Sequence, residues 1–199
     1  MTFLKTGTNG VSEVSIPAYM LGKGIIIVNG EITSQVANQF IEQMLIITSE
    51  PFTTLKQVKV LINSSGGSVD AGMLMVDAIQ NSNLPVWTYC LEKAYSMGAL
   101  LTIAGSQSFI LQNSKLMLHK PWISNVKGNS TELESYVTTL KQYEQTLIQL
   151  IYQKTQKPKK SIEKIIQDDH YFTAQESVDY GLIDEIVPFS HIMGKGEYL

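Results

Sequence analysis

The sequence contains no arginine; all fifteen of its cations are lysines. Without a guanidinium there is no planar, two-pronged clamp for phosphate or carboxylate. Eighteen acidic residues, a net charge of −3 and a pI near 5.6 argue against nucleic acid as the main partner. There is one cysteine, Cys90, so no internal disulfide can form. It lies in the apolar run Val86 to Leu91 and reads as a small buried hydrophobe in a reducing, cytoplasmic setting. No apolar run approaches the roughly twenty residues that span a bilayer, so no membrane segment is expected. The first fifteen residues, MTFLKTGTNGVSEVS, lack the apolar stretch of a secretory signal. Three histidines and one cysteine without ligand spacing give no expectation of a metal. There is no GxGxxG and no Gly-Lys-Ser/Thr, and no cofactor is expected. Internal repeats and low-complexity tracts are missing too.

What is present is a chain of 199 residues, 44% hydrophobic, enough for one domain with a sizeable core. Residues 1–20, rich in Gly, Thr and Ser, read as a mobile arm; 21–188 read as the single folded domain, and 189–199 as a tail. Ile25-Ile26-Ile27-Val28 is expected to be a strand buried on both faces. Thr33 or Ser34 then caps a helix with Val36, Phe40, Ile41, Met44 and Leu45 at helical spacing. Val58 to Ile62 is the next strand, Asn63 to Gly67 a turn, and Ser68 to Gln80 a helix. Val86 to Leu91, Phe109 to Leu111 and Lys115 to Leu118 read as strands, with a short apolar helix from Met97 to Ala104. Alternating strand and helix indicate an α/β architecture. After His119 the pattern changes to one long helix over 131–154, whose apolar face packs on the core or meets another subunit. A short helix over 161–168, a capping box at Thr173–Glu176 and a last strand, Leu182 to Val187, complete the chain.

Several residues could carry chemistry. Ser96 sits between a strand and an apolar helix, in Ala94-Tyr95-Ser96-Met97-Gly98-Ala99. There it is either an N-cap or a nucleophile at a helix N-terminus. Gly66-Gly67, between a buried strand and a helix, is either an ordinary turn or a loop presenting N–H groups to a ligand. His119 ends a strand and is followed by Lys120-Pro121, which puts its imidazole at an edge or mouth. His170 lies in a polar turn and His191 in the tail, so His119 is the best-placed histidine for a hydrolase. Nothing local distinguishes Asp169 from Asp168.

Taken together, the segments Ile62 to Val69, Ala71-Gly72-Met73, Ala94 to Ala99, Met117 to Pro121, Asp169 to Ala174 and Tyr180 to Asp184 resemble, in order, the proteolytic subunit of the Clp protease. The resemblance spans roughly residues 20 to 188. It implies a ClpP/crotonase-like α/β fold of repeated β-β-α units, with a protruding long helix, or handle, between His119 and Asp169. It also implies a serine peptidase with Ser96 as nucleophile, His119 as base and Asp169 as orienting carboxylate. Gly67 and Met97 would supply the oxyanion-hole N–H groups, and Ser68, Val69 and Ile123 would bind substrate. The family assembles as a homo-oligomer: rings of seven, stacked in pairs, cleave unfolded polypeptides fed by an AAA+ ATPase, the only component that uses ATP.

The chain departs from the family pattern at several positions. Ser65 stands in place of a proline in the glycine loop, and Lys120 in place of glutamine. Trp122 to Gly128 replaces a glycine-rich stretch, and Asp168 replaces a basic residue. Lys59 and Leu61 stand where the family carries tyrosines that form pockets for ATPase loops. Three further readings follow: a phage or mobile-element peptidase working without an ATPase, an inactive scaffold subunit, and a crotonase-like acyl-CoA enzyme.

Overall fold

The structure, a computed structural model, describes residues 1–7, 10–49, 55–124 and 127–193. Parts of three expected segments lie outside the described residues: 8–9 of the arm, 125–126 of the stretch after His119, and 194–199 of the tail. The segment expected as an arm carries regular structure. Strands β1 (Thr2–Gly7) and β2 (Gly10–Ser15) form an antiparallel hairpin, and helix α1 (Ile16–Gly22) follows, capped by Ser15 with Pro17 in its first turn.

The rest of the chain builds one mostly parallel sheet. Strands β3 (Ile25–Ile32), β4 (Val58–Gly67), β5 (Val86–Tyr95), β6 (Gln107–Leu111) and β9 (Glu185–Val187) lie side by side in parallel. Strand β7 (Lys115–Leu118) pairs with the C-terminal end of β5 and, on its other side, antiparallel with β8 (His170–Thr173). Helices α2 (Ser34–Thr48), α3 (Val69–Gln80) and α4 (Met97–Ile103) are the crossovers between successive parallel strands. Thr33 Oγ1 accepts from the Val36 N–H and Ser68 Oγ from the Ala71 N–H, so a side chain starts each of the first two. Helix α5 (Ser130–Thr155) opens on a capping box between Asn129 and Glu132. It is followed by α6 (Lys159–Ile165) and α7 (Ala174–Tyr180), the latter with its own box at Thr173 and Glu176.

Alternation along the strands separates two apolar clusters. Ile26, Val60, Ile62 and Cys90 face the crossover helices and the base of α5. Ile25, Leu61, Tyr89 and Phe109 face the other way, where a 3-10 turn over Phe189–Ile192 covers them. Burial pushes the Cys90 thiol up to about 12, which suits a packing role. Lys59 is buried on this second face, and its Nζ donates to the Ile192 carbonyl at 2.7 Å.

Some sequence expectations need correction. Ile27 is half exposed, so β3 is not buried on both faces. Leu45 points outward from α2, and Ala37, Phe40, Met44 and Ile47 make its buried stripe. Asn63 to Gly67 is not a free turn but the continuation of β4. The last strand is shorter than expected, covering only Glu185–Val187, and β8 occupies residues read as a polar turn. Helix α5 divides in two: Leu147, Ile148, Leu150 and Ile151 are buried, whereas Leu133, Tyr136 and Val137 are exposed. Among the described residues no helix is long and apolar enough to cross a membrane.

Candidate active site

Ser96 is the junction between β5 and α4. Its backbone sits at φ 53°, ψ −121°, and among the described residues only Gln156 is another non-glycine at positive φ. Such a conformation costs about 1–3 kcal/mol and persists only where surrounding contacts enforce it. The contacts are specific. The Ser96 N–H donates to the Met117 carbonyl at 2.8 Å, and its carbonyl accepts from Ala99 and Leu100 at 3.0 and 3.2 Å. Gly66 presses against the bend: a Cβ built there would lie 2.8 Å from Ser96 Cβ and 2.7 Å from the Tyr95 carbonyl. The Gly66 N–H is in turn held by Ser64 Oγ at 3.0 Å. The Ser96 hydroxyl makes no capping bond to α4. Ser96 is thus the N-cap residue of α4 by position but not by its side chain, and it lines a cleft.

The cleft is bordered by Gly67, Ser68, Val69, Ser96, His119 and Ile123, bringing together six of the eight residues singled out from sequence. Met97 lies just behind, lining an apolar pocket that also touches Ser96 and His119. As the first residue of α4 it has an N–H with no partner inside the helix, beside the Ser96 hydroxyl. Ser68 caps α3 and donates its own N–H to Ile32.

His119 and Asp169 are brought together by strand register. Tyr95 pairs with Met117 between β5 and β7, so one step further Ser96 lies alongside Leu118, next to His119. Leu118 pairs with His170 between β7 and β8; one step beyond this ladder His119 faces Asp169. His119 Nδ1 and Asp169 Oδ1 are 3.7 Å apart, ion-pair range but longer than a hydrogen bond. The imidazole is largely covered, whereas the Asp169 side chain is 60% exposed. A Lys120 N–H bond to the Ile166 carbonyl ties the end of β7 to the segment before β8, and edge-to-face packing of Tyr95 on Tyr171 ties β8 to β5.

The long helix closes the far side. Tyr143 Oη donates to Asp70 Oδ1 at 2.7 Å, and the bond to this carboxylate pushes the phenol above its usual range. Lys120 Nζ pairs with Glu144 Oε1 of α5 at 2.8 Å. Among the described residues there is no group of three or more His, Cys, Asp or Glu side chains that could hold a metal.

The Clp protease family model matches residues 8–189, leaving out only the first seven and last ten residues. The chain belongs to the Clp protease family. With membership comes a ClpP-like serine peptidase, and the mostly parallel α/β sheet agrees with the fold expected from the family motifs. Sequence reasoning singled out Gly66 as part of a turn or ligand loop, not as a wedge against the bend of this Clp family member, and it missed Ser64, which holds Gly66, and Tyr143 and Asp70, which meet across the pocket. The double glycine was a signal for Gly66. Nothing in the sequence marks a bond between residues 73 positions apart.

Proposed function

We propose that the chain is a serine endopeptidase that hydrolyses peptide bonds of unfolded polypeptides inside a cytoplasmic homo-oligomeric chamber. The observation that carries this reading is the strained bend at Ser96, whose uncapped hydroxyl shares a cleft with His119, which itself faces Asp169.

In this mechanism Ser96 Oγ attacks the scissile carbonyl while His119 takes its proton. The oxygen of the tetrahedral intermediate accepts from the N–H groups of Met97 and Gly67, and the positive end of α4 favours the charge. His119 then gives the proton to the leaving amine, and a water, deprotonated by the same imidazole, releases the acyl chain. Asp169 holds the imidazole in the tautomer that leaves its other nitrogen free for Ser96. That role requires the 3.7 Å gap to close to hydrogen-bond length, a tightening common on substrate binding. An extended peptide would lie between Gly67–Val69 and the segment at Ile123, pairing as an added strand. A fluorophosphonate or β-lactone probe is expected to label Ser96 in the wild type and not in Ser96→Ala. Failure to label a well-folded wild type would overturn the proposal.

A second reading concerns the energy source. The family pattern implies an AAA+ ATPase partner and rings of seven, singly or stacked. Lys59 and Leu61, however, stand under the turn Phe189–Ile192, with Lys59 bonded to Ile192. A covered face there supports a peptidase working without an ATPase. Stable, ATP-dependent co-purification with a Clp ATPase would sink that reading and leave the chemistry at Ser96 untouched.

A further inference from the structure

The cleft holding Ser96 and His119 is charged on one side only. Apart from the imidazole, the lining side chains that carry charge at neutral pH are Glu31 and Asp70. Glu31 pairs with Gly66 between β3 and β4, so it stands beside the glycine wedged against Ser96. Asp70 lies in the first turn of α3, directly after Val69. The two carboxylates therefore bracket Gly67–Val69, the stretch along which an extended peptide would pair. With about 1270 Å³ of empty space, open solvent included, the cleft has room for more than the one residue at the cleaved carbonyl.

Neither carboxylate is neutralised. Among the described residues no lysine or histidine forms an ion pair with Glu31 or Asp70. The Tyr143 hydroxyl orients Asp70 without cancelling its charge. Lys120, the cation next to His119 in the chain, is taken up by Glu144. The facing wall, Pro121 to Ser124, carries no charge, and its Trp122 is 69% exposed. An open indole face attracts a cation and packs against the methylenes of a lysine or arginine side chain. A cleft lined by charge of one sign also concentrates the field along it, and here that field draws cations.

We propose that this cleft selects polypeptide segments carrying lysine or arginine in the residues flanking the cleaved bond and disfavours acidic ones, with Glu31, Asp70 and Trp122 as the specificity residues. The inference rests on Ser96 being the nucleophile. The three side chains act on the substrate's flanking side chains, not on the reacting atoms.

The test uses the full-length protein and fluorogenic peptides of one length with the same residue at the cleaved carbonyl. Only the flanking residues differ: lysine, glutamine or glutamate. Wild type is expected to rank them in that order by kcat/KM, with lysine over glutamate by about tenfold at low salt. The ratio should fall toward one in about 0.5 M salt, where the screening length is only a few ångströms. Glu31→Gln and Asp70→Asn should each lower it by about threefold, and Asp70→Asn keeps an oxygen that accepts from Tyr143. Trp122→Leu should lower turnover of the lysine peptide by about threefold relative to the glutamine one. Glu185→Gln, which removes the same charge from β9 at the opposite end of the sheet from β3, should leave the ratio at the wild-type value. A merely structural role for Glu31 or Asp70 would lower all three peptides together. A wild type that turns over the three peptides equally or prefers glutamate, or a ratio unmoved in the Glu31→Gln, Asp70→Asn double variant, overturns the charge selection. A small fluorophosphonate run in parallel separates the two failures: labelling of Ser96 with equal turnover overturns only the charge selection. No labelling and no hydrolysis overturn the nucleophile assignment and the charge selection with it.

Discussion

Ser96 and Asp169 belong to one candidate site, yet the fold holds them in different ways. Ser96 sits at a bend wedged against Gly66, pinned to Met117 and backed by the buried start of α4. Asp169 stands just before the edge strand β8, mostly exposed, within ion-pair range of His119 but without a hydrogen bond to it. The position of Ser96 is a packing result, with large energies behind it. The carboxylate's position is set by strand register and a few contacts near the strand ends, and can shift without disturbing the core. Stability and catalysis should therefore separate along this line.

The largest effect is expected from Gly66→Ala. A methyl group at φ +91°, 2.8 Å from Ser96 Cβ, adds backbone strain to overpacking. A loss of about 3–5 kcal/mol in denaturant unfolding is expected, together with loss of probe labelling at Ser96. Unchanged stability would mean that the bend is not held by packing. Asp169→Asn should behave in the opposite manner. Unfolding free energy should move by less than about 0.5 kcal/mol, while kcat/KM on a peptide falls about 10³–10⁴-fold through the wrong tautomer of His119. Asp168→Asn, one residue away, should change neither; equal losses in both variants would dissolve the distinction between the two carboxylates.

The smallest effect concerns a third carboxylate, which Asp169 can be measured against. Asp184 accepts from Lys154 Nζ at 2.7 Å and from the Ser108 N–H and Oγ at 2.7 and 2.8 Å. Burial alone would raise its pKa, but the bonds from Lys154 and Ser108 outweigh burial and hold it below the usual carboxylate range. A depressed folded pKa means stability that is present above the ordinary carboxylate value and lost as pH falls through the lower, folded one. Lys154→Met should cost about 0.5–1 kcal/mol at neutral pH, because the pair is partly open to solvent. The gap from wild type should shrink as acid protonates Asp184. A gap that stays constant from pH 7 to pH 2 would contradict the assignment.

Much of this arrangement was legible in the sequence because it is local. The apolar runs at 25–28, 58–62 and 86–91 are strands, and Thr33, Ser68 and the Thr173–Glu176 box start helices as expected. The proline after His119 correctly put the imidazole at the mouth of a cleft. Features made by pairing were harder to see. Strand β8 buries only Phe172 of its four residues, so it carries no alternation to detect. The hairpin of β1 and β2 is made of Thr, Ser, Gly and Lys as much as of apolar residues, and so read as an arm. Periodicity on α2 overcounted the core, and on α5 it left open what the apolar face meets, since it reports which residues share a face and not whether anything covers that face. Leu45 and Tyr136 satisfy the spacing and remain exposed.

The contact between Lys59 and Ile192 bears on how the protein can be handled at the bench. His191 lies against Trp87, Tyr89 and Phe109, and Ile192 is nearly inaccessible to solvent. A version cut back to Pro188 would bare an aromatic shelf and leave the lysine amine without its acceptor. Such a version would tend to stick to itself while its chemistry stayed whole, so a purification handle belongs after this turn and never in place of it.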